Sequence, residues 1–108
     1  MVRIKTNIWV GALRRRVEAA GGFATVIAKG EPDTGAVLLL LREAGGTITA
    51  LSRANMGDGK VSWQPIFENR EERDPSAQEA LEKRRKFDPD LWIVELDVEN
   101  PGRFVDKD

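Results

Sequence analysis

Residues 36–41 read Ala-Val-Leu-Leu-Leu-Leu, apolar at every position, and Arg42 closes the run. A run this short falls far below the roughly 20 residues that a membrane span needs. An amphipathic helix or a half-exposed strand would show polar residues at a regular spacing. A run with none reads as a strand covered on both faces, so the chain must place material above and below its sheet. At 108 residues it is expected to be a single domain, large enough to bury roughly 60% of its unfolded surface.

The flanking segments supply that cover. Residues 6–20 repeat apolar side chains at helical spacing, Trp9, Leu13, Val17 and Ala20, with Ile8 and Ala12 widening the stripe. Thr6 or Asn7 is placed to cap the helix start, and Gly21-Gly22 to end it in the left-handed conformation. Gly11 costs helix propensity, which a close packing contact would explain. Strand-like runs follow at 23–29, 36–42, 47–53 and 60–67, separated by Gly- and Asp-rich turns that include 30–35, 45–46 and 57–59. The fourth alternates, with Val61, Trp63 and Phe67 on one side, and its Pro65 marks an edge strand. Residues 68–74 read as a charged loop.

Asp74-Pro75 opens a second helix as cap and first helical residue. Glu79 and Lys83, and Glu82 and Lys86, stand at the favourable acid-first spacing of four. Asp88-Pro89-Asp90 is a turn, and 91–98 is the last strand. Trp92, Val94, Leu96 and Val98 face one way; Leu91, Ile93, Glu95 and Asp97 face the other. The reading is an α+β domain: a mainly antiparallel sheet of about five strands with two helices packed against it, in the order α-β-β-β-β-α-β. The last strand, arriving after a helix, inserts beside the apolar run, central and parallel to a neighbour. The tail beyond about residue 100 is expected to fray, apart from a docked Phe104.

The chain has no histidine, cysteine or tyrosine. That removes the usual near-neutral acid–base, thiol and soft-metal chemistry and any disulfide framework. A catalyst built from what remains must tune carboxylates or lysines by burial. The best candidate is the acidic set Asp88, Asp90, Glu95 and Asp97. Glu95 and Asp97 project from the same strand face about 7 Å apart, a spacing that a hard cation can bridge. The competing explanation is structural: Asp88 and Asp90 shape a turn, while Glu95 and Asp97 lie near the strand's exposed end or meet the arginines of the first helix. The order of elements also invites comparison with metal-dependent nucleases. Pro32-Asp33 matches in part, but Arg42-Glu43-Ala44-Gly45 lacks the expected lysine two residues after the acid.

Two basic clusters are candidate binding residues: Arg14, Arg15 and Arg16, and Lys83, Arg84, Arg85 and Lys86. Either can neutralise phosphates. A net charge of −1 and the lack of interleaved aromatics argue against a base-stacking platform. A nucleic-acid binder requires both clusters on one face. The function expected is therefore a non-catalytic protein-binding module, without cofactor or metal, with nucleic-acid binding and a carboxylate-dependent hydrolase or nuclease as alternatives. The absence of cysteine, of a leader-like start and of any long apolar run is consistent with a cytoplasmic protein that does not enter a membrane.

Arg3-Ile4-Lys5 with Ile8-Trp9-Val10 and Leu13-Arg14-Arg15, and then the run from Phe87 through Asp88-Pro89-Asp90-Leu91-Trp92-Ile93-Val94 to Glu95, carry a resemblance. The chain resembles a family of small bacterial proteins classed as domain of unknown function fourteen ninety-one, along nearly its whole length. The resemblance implies a small cytoplasmic protein and transfers no catalytic residue.

Overall fold

The computed structural model describes residues 4–55 and 61–105. The elements run α1 (Thr6–Ala19), β1 (Phe23–Ala28), β2 (Val37–Arg42), β3 (Thr47–Asn55), β4 (Val61–Glu71), α2 (Pro75–Phe87) and β5 (Trp92–Asp97), followed by a 3-10 turn over Pro101–Phe104. The five strands form one sheet in the order β1-β5-β2-β3-β4. β5 is an interior strand, parallel to β2 and antiparallel to β1, so the sheet is mixed. The α+β order read from the sequence is the one observed.

The apolar run explains the layering. Val37, Leu39 and Leu41 join Trp92, Val94 and Leu96 beneath α1, while Leu38 and Leu40 join Ile48, Ala50, Phe67 and Ile93 on the side of Ala77 in α2. Successive strand residues point to opposite faces, so the two helices lie on opposite sides of the sheet. Fully burying a Leu or Val side chain contributes about 1.5–3 kcal/mol. Residues such as Leu38 and Leu39 anchor both layers at once.

α1 buries a different stripe from the one its sequence suggests. The buried row is Thr6, Val10, Leu13 and Val17; Trp9 is half-buried, and Ile8, Ala12 and Ala20 are exposed. A threonine can hold a core row because its hydroxyl donates to the Gly35 carbonyl at 2.9 Å. Lys5, not Thr6 or Asn7, is the N-cap, and no side chain caps the helix. The 31–35 loop does that work: Thr6 N–H donates to Asp33 O at 3.1 Å and Asn7 N–H to Pro32 O at 2.8 Å. At the other end Gly21, at φ 87°, closes a Schellman motif, with Gly22 N–H on Val17 O and Gly21 N–H on Glu18 O. Nothing close packs on Gly11, where an added Cβ would meet only the tip of Arg15 at 3.7 Å.

β4 is an edge strand, as Pro65 indicates, but it runs through Glu71 rather than yielding to a loop at 68. Its register slips twice against β3. The slip at Ile66 turns Phe67 to the α2 face, while Trp63 stays on the α1 face. A single inserted residue is enough to do this, because side chains alternate with period two. Asn69 takes up the second slip at φ 49°, with its N–H on Thr49 Oγ1 at 3.1 Å. The Val61 side chain and the 57–59 turn lie outside the described residues. Phe104 docks as expected, packing on the α1-side core with its carbonyl accepting from Arg16 Nη2 at 3.4 Å; the tail around it docks where fraying was expected, with Pro101 buried and Val105 on the same core.

Candidate functional site

One helix cannot cover a five-stranded face. Strands about 4.8 Å apart spread this sheet over about 19 Å from first to last, and a helix with its side chains is about 10 Å wide. α2 packs against β4, at the far side of the sheet from β1. The α2 face of β1 is left open. Phe23 is 70% exposed and Ile27 48%, and Thr25 between them is also exposed. Phe87, at the end of α2, is 78% exposed. Exposure of one apolar residue would be unremarkable; exposure of Phe23 and Ile27 on one strand face is informative.

Between the Ile27 end of β1 and the last turns of α2 lies a cleft of about 650 Å³, lined among others by Ile27, Lys29, Glu82, Arg85, Lys86 and Asp88. Its cations have no carboxylate partner: among the described residues, none lies within ion-pair distance of Lys29, Arg85 or Lys86. The acid-first pairs Glu79–Lys83 and Glu82–Lys86 do not close either. Asp88 is partly engaged, because its Oδ1 accepts the Asp90 N–H at 3.1 Å.

The acidic set is dispersed. Asp88 caps α2 and shapes the turn, its backbone carbonyl accepting the Leu91 N–H at 3.1 Å. Asp90 is exposed, and its backbone carbonyl accepts the Glu31 N–H at 3.0 Å. Glu95 does not meet the arginines of α1, which lie across the sheet. It meets Arg42 of β2, Nε to Oε1 3.1 Å, and Glu72 binds the same guanidinium. Glu95 first and then Glu72 hold Arg42 above its ordinary pKa. Asp97 is exposed beside Phe23, its partner across β1 and β5. No group of three or more carboxylates converges among the described residues. A second cleft of about 610 Å³ at the sheet end includes Arg42, Glu43, Asp97 and Glu99, and its one cation is already held by Glu95 and Glu72.

The basic clusters are separated too. Arg14, Arg15 and Arg16 are exposed on α1, on one side of the sheet, and Lys83, Arg84, Arg85 and Lys86 are exposed on α2, on the other.

The chain matches, over residues 4–106, the model of a family described as protein of unknown function, DUF1491. It belongs to that family. Among similar solved structures is the crystal structure of a DUF1491 family protein from Caulobacter crescentus CB15, 38% identical, covering 97% of each chain with a TM-score of 0.80. An NMR structure of a DUF1491 family protein from the same organism is 36% identical over 99% of this chain and 96% of that one, TM-score 0.81. A solution structure of a protein from A. tumefaciens is 32% identical over 99% of this chain and 98% of that one, TM-score 0.79. No curated protein matches. Membership in DUF1491 fixes the fold and assigns no chemistry, so the reading of this site rests on its geometry. Among the described residues of this family member, no helix is long and apolar enough to cross a membrane.

The groove was only partly legible in the sequence. Lys83 to Lys86 stood out as a cluster, and Phe87 as an apolar residue at the helix exit. Phe23 and Ile27 gave no signal, because an apolar residue on a strand reads as core until the cover of each face is known.

Proposed function

We propose that this DUF1491 protein is a non-catalytic, cytoplasmic protein-binding module that recognises its partner through the open α2-side face of β1. The observation that carries the reading is the exposure of Phe23 and Ile27 on the α2-side face of β1, with Ile27 lining a groove whose cations Lys29, Arg85 and Lys86 lack acidic partners among the described residues. Large aromatic residues and arginine are enriched at protein interfaces. The composition supports it as well: without histidine, cysteine or tyrosine, near-neutral acid–base roles fall to carboxylates or lysines tuned by burial, and Glu95, the partly buried carboxylate of the acidic set on an interior strand, is held by Arg42. The placement of the two basic clusters on opposite faces favours a protein over a nucleic acid.

A photo-crosslinking benzoylphenylalanine in place of Phe23 tests this in native cells. It forms a discrete adduct with another protein, the same probe at exposed Ala12 of α1 does not, and Ile27→Asp suppresses the Phe23 adduct. Equal labelling from both positions, or none from Phe23, overturns the proposal.

A further inference from the structure

The face that binds is open, and what fills it can be argued from its shape and charge. Two occupants are geometrically available: a strand added to the free edge of β1, or a helix laid on its face beside α2. β1 is a poor template for the first. Its register against β5 breaks between Val26 and Ala28, and a bulge there twists and blunts an edge against strand addition. The second fits the layer. The sheet is about 19 Å across; α2 packs on β4 and its last turns come to the Ile27 end of β1, which leaves the face of β1 from Phe23 toward Ile27 open beside it for a single helix. From Phe23 to Ile27 the strip is about 13 Å long, the length of about nine helical residues.

The strip is polarised. At the Ile27 end stand Lys29, Arg85 and Lys86, unpaired among the described residues, with Glu82 and the partly engaged Asp88 as their acidic neighbours. At the Phe23 end the cross-strand neighbour is Asp97, with Glu95 one step inward already held by Arg42. Resting on the reading of β1 as a protein-binding face, we infer that the partner contributes an amphipathic helix that lies beside α2. Its apolar row covers Phe23 and Ile27, and its acidic end lies over Lys29, Arg85 and Lys86.

The test uses the full chain with benzoylphenylalanine at Phe23, isolation of the crosslinked segment, and synthesis of that segment as a peptide. The segment has apolar residues three and four apart with acids clustered toward one end. The synthetic peptide gains helical circular dichroism on binding. The Arg85→Glu/Lys86→Glu double variant, whose exposed sites leave the fold intact by thermal melting, weakens the peptide about tenfold, as loss of charge complementarity does. A segment with alternating apolar residues that protects β1 amides from exchange shows strand addition and overturns the inference. So does a basic segment, an affinity unchanged by charge reversal, or a nucleic-acid adduct. No adduct at all overturns the protein-binding reading itself, which keeps the two failures distinct.

Discussion

The indole N–H of Trp92 donates to the backbone carbonyl oxygen of Glu31 at 2.8 Å, tying β5 to the loop that caps α1. The same loop residue also holds the turn that leads into β5, its N–H on the Asp90 carbonyl at 3.0 Å. Trp92 is 4% exposed, so this contact sits at the junction of the sheet, the first helix and the 30–35 loop. Trp92→Ala should cost about 3–5 kcal/mol, as large-to-small core changes do. Trp92→Phe keeps most of the packing and loses the donor. The Glu31 carbonyl retains the Gly35 N–H at 3.2 Å, so this change should cost only about 1 kcal/mol. Urea denaturation of the two variants separates packing from hydrogen bonding; equal losses would show that the bond, not the ring, holds the loop.

Gly30 is where that loop approaches β5 most closely. A Cβ there would lie 2.1 Å from Asp90 O and 2.6 Å from Trp92 Cδ1. Backbone cannot yield as a flexible side chain does, so Gly30→Ala should destabilise by about 1–3 kcal/mol, the range for overpacking. Gly102→Ala is the control, because no atom lies within 4 Å of a Cβ added there. Thermal melts of the pair decide it, and matching midpoints would show that the loop simply moves away.

The Glu31 carboxylate also organises its own loop. Its Oε2 accepts the Thr34 N–H at 2.6 Å, the Thr34 hydroxyl at 3.0 Å and the Asp33 N–H at 3.0 Å. Thr34 first, then Asp33, hold its pKa below the ordinary 4.5. A carboxylate depressed in the folded state stabilises the fold above its unfolded pKa, and that stabilisation is lost as pH falls through the folded value. Glu31→Gln should therefore lose stability at about pH 7 and lose less than the wild type on acidification to about pH 3. Asp74, lowered by Ser76 and Arg70, titrates in both proteins and cancels in the difference. Denaturant midpoints at the two pH values check the sign; a gap that widens in acid would contradict it.

What the sequence disclosed and what it hid follow one physical line. The apolar run at 36–41, with the alternation of 91–98, pointed to β5 beside β2 inside the sheet without fixing the order of the other strands, because a strand apolar on both faces needs covered neighbours. The face of Phe67 was not legible, since it turns on one inserted residue at Ile66 that no composition marks. Thr6 in the core row of α1 depends on carbonyls some thirty residues away, and the docked tail on a Pro101 contact of the same long-range kind. The site was hidden for a related reason: Phe23 and Ile27 become distinctive only once α2 is known to lie over β4.

Glu95 and Arg42 give the last test. Arg42 bridges Glu95 and Glu72 on the α2 face, so the carboxylate best placed to hold a cation is already satisfied. Magnesium at millimolar concentration should leave the melting temperature unchanged, since only ligands that bind the native state raise it. Arg42→Ala releases both acids and leaves Glu95 half-buried without its partner, a loss of about 1–3 kcal/mol. In that variant Glu95 and Glu72, which share one guanidinium in the wild type, are free to attract a divalent ion, and magnesium should recover part of the lost stability. Differential scanning calorimetry of both proteins with and without the ion measures this. A rise of several degrees in the wild type would show that Glu95 binds metal despite Arg42, and would return the acidic set to consideration as a catalytic centre.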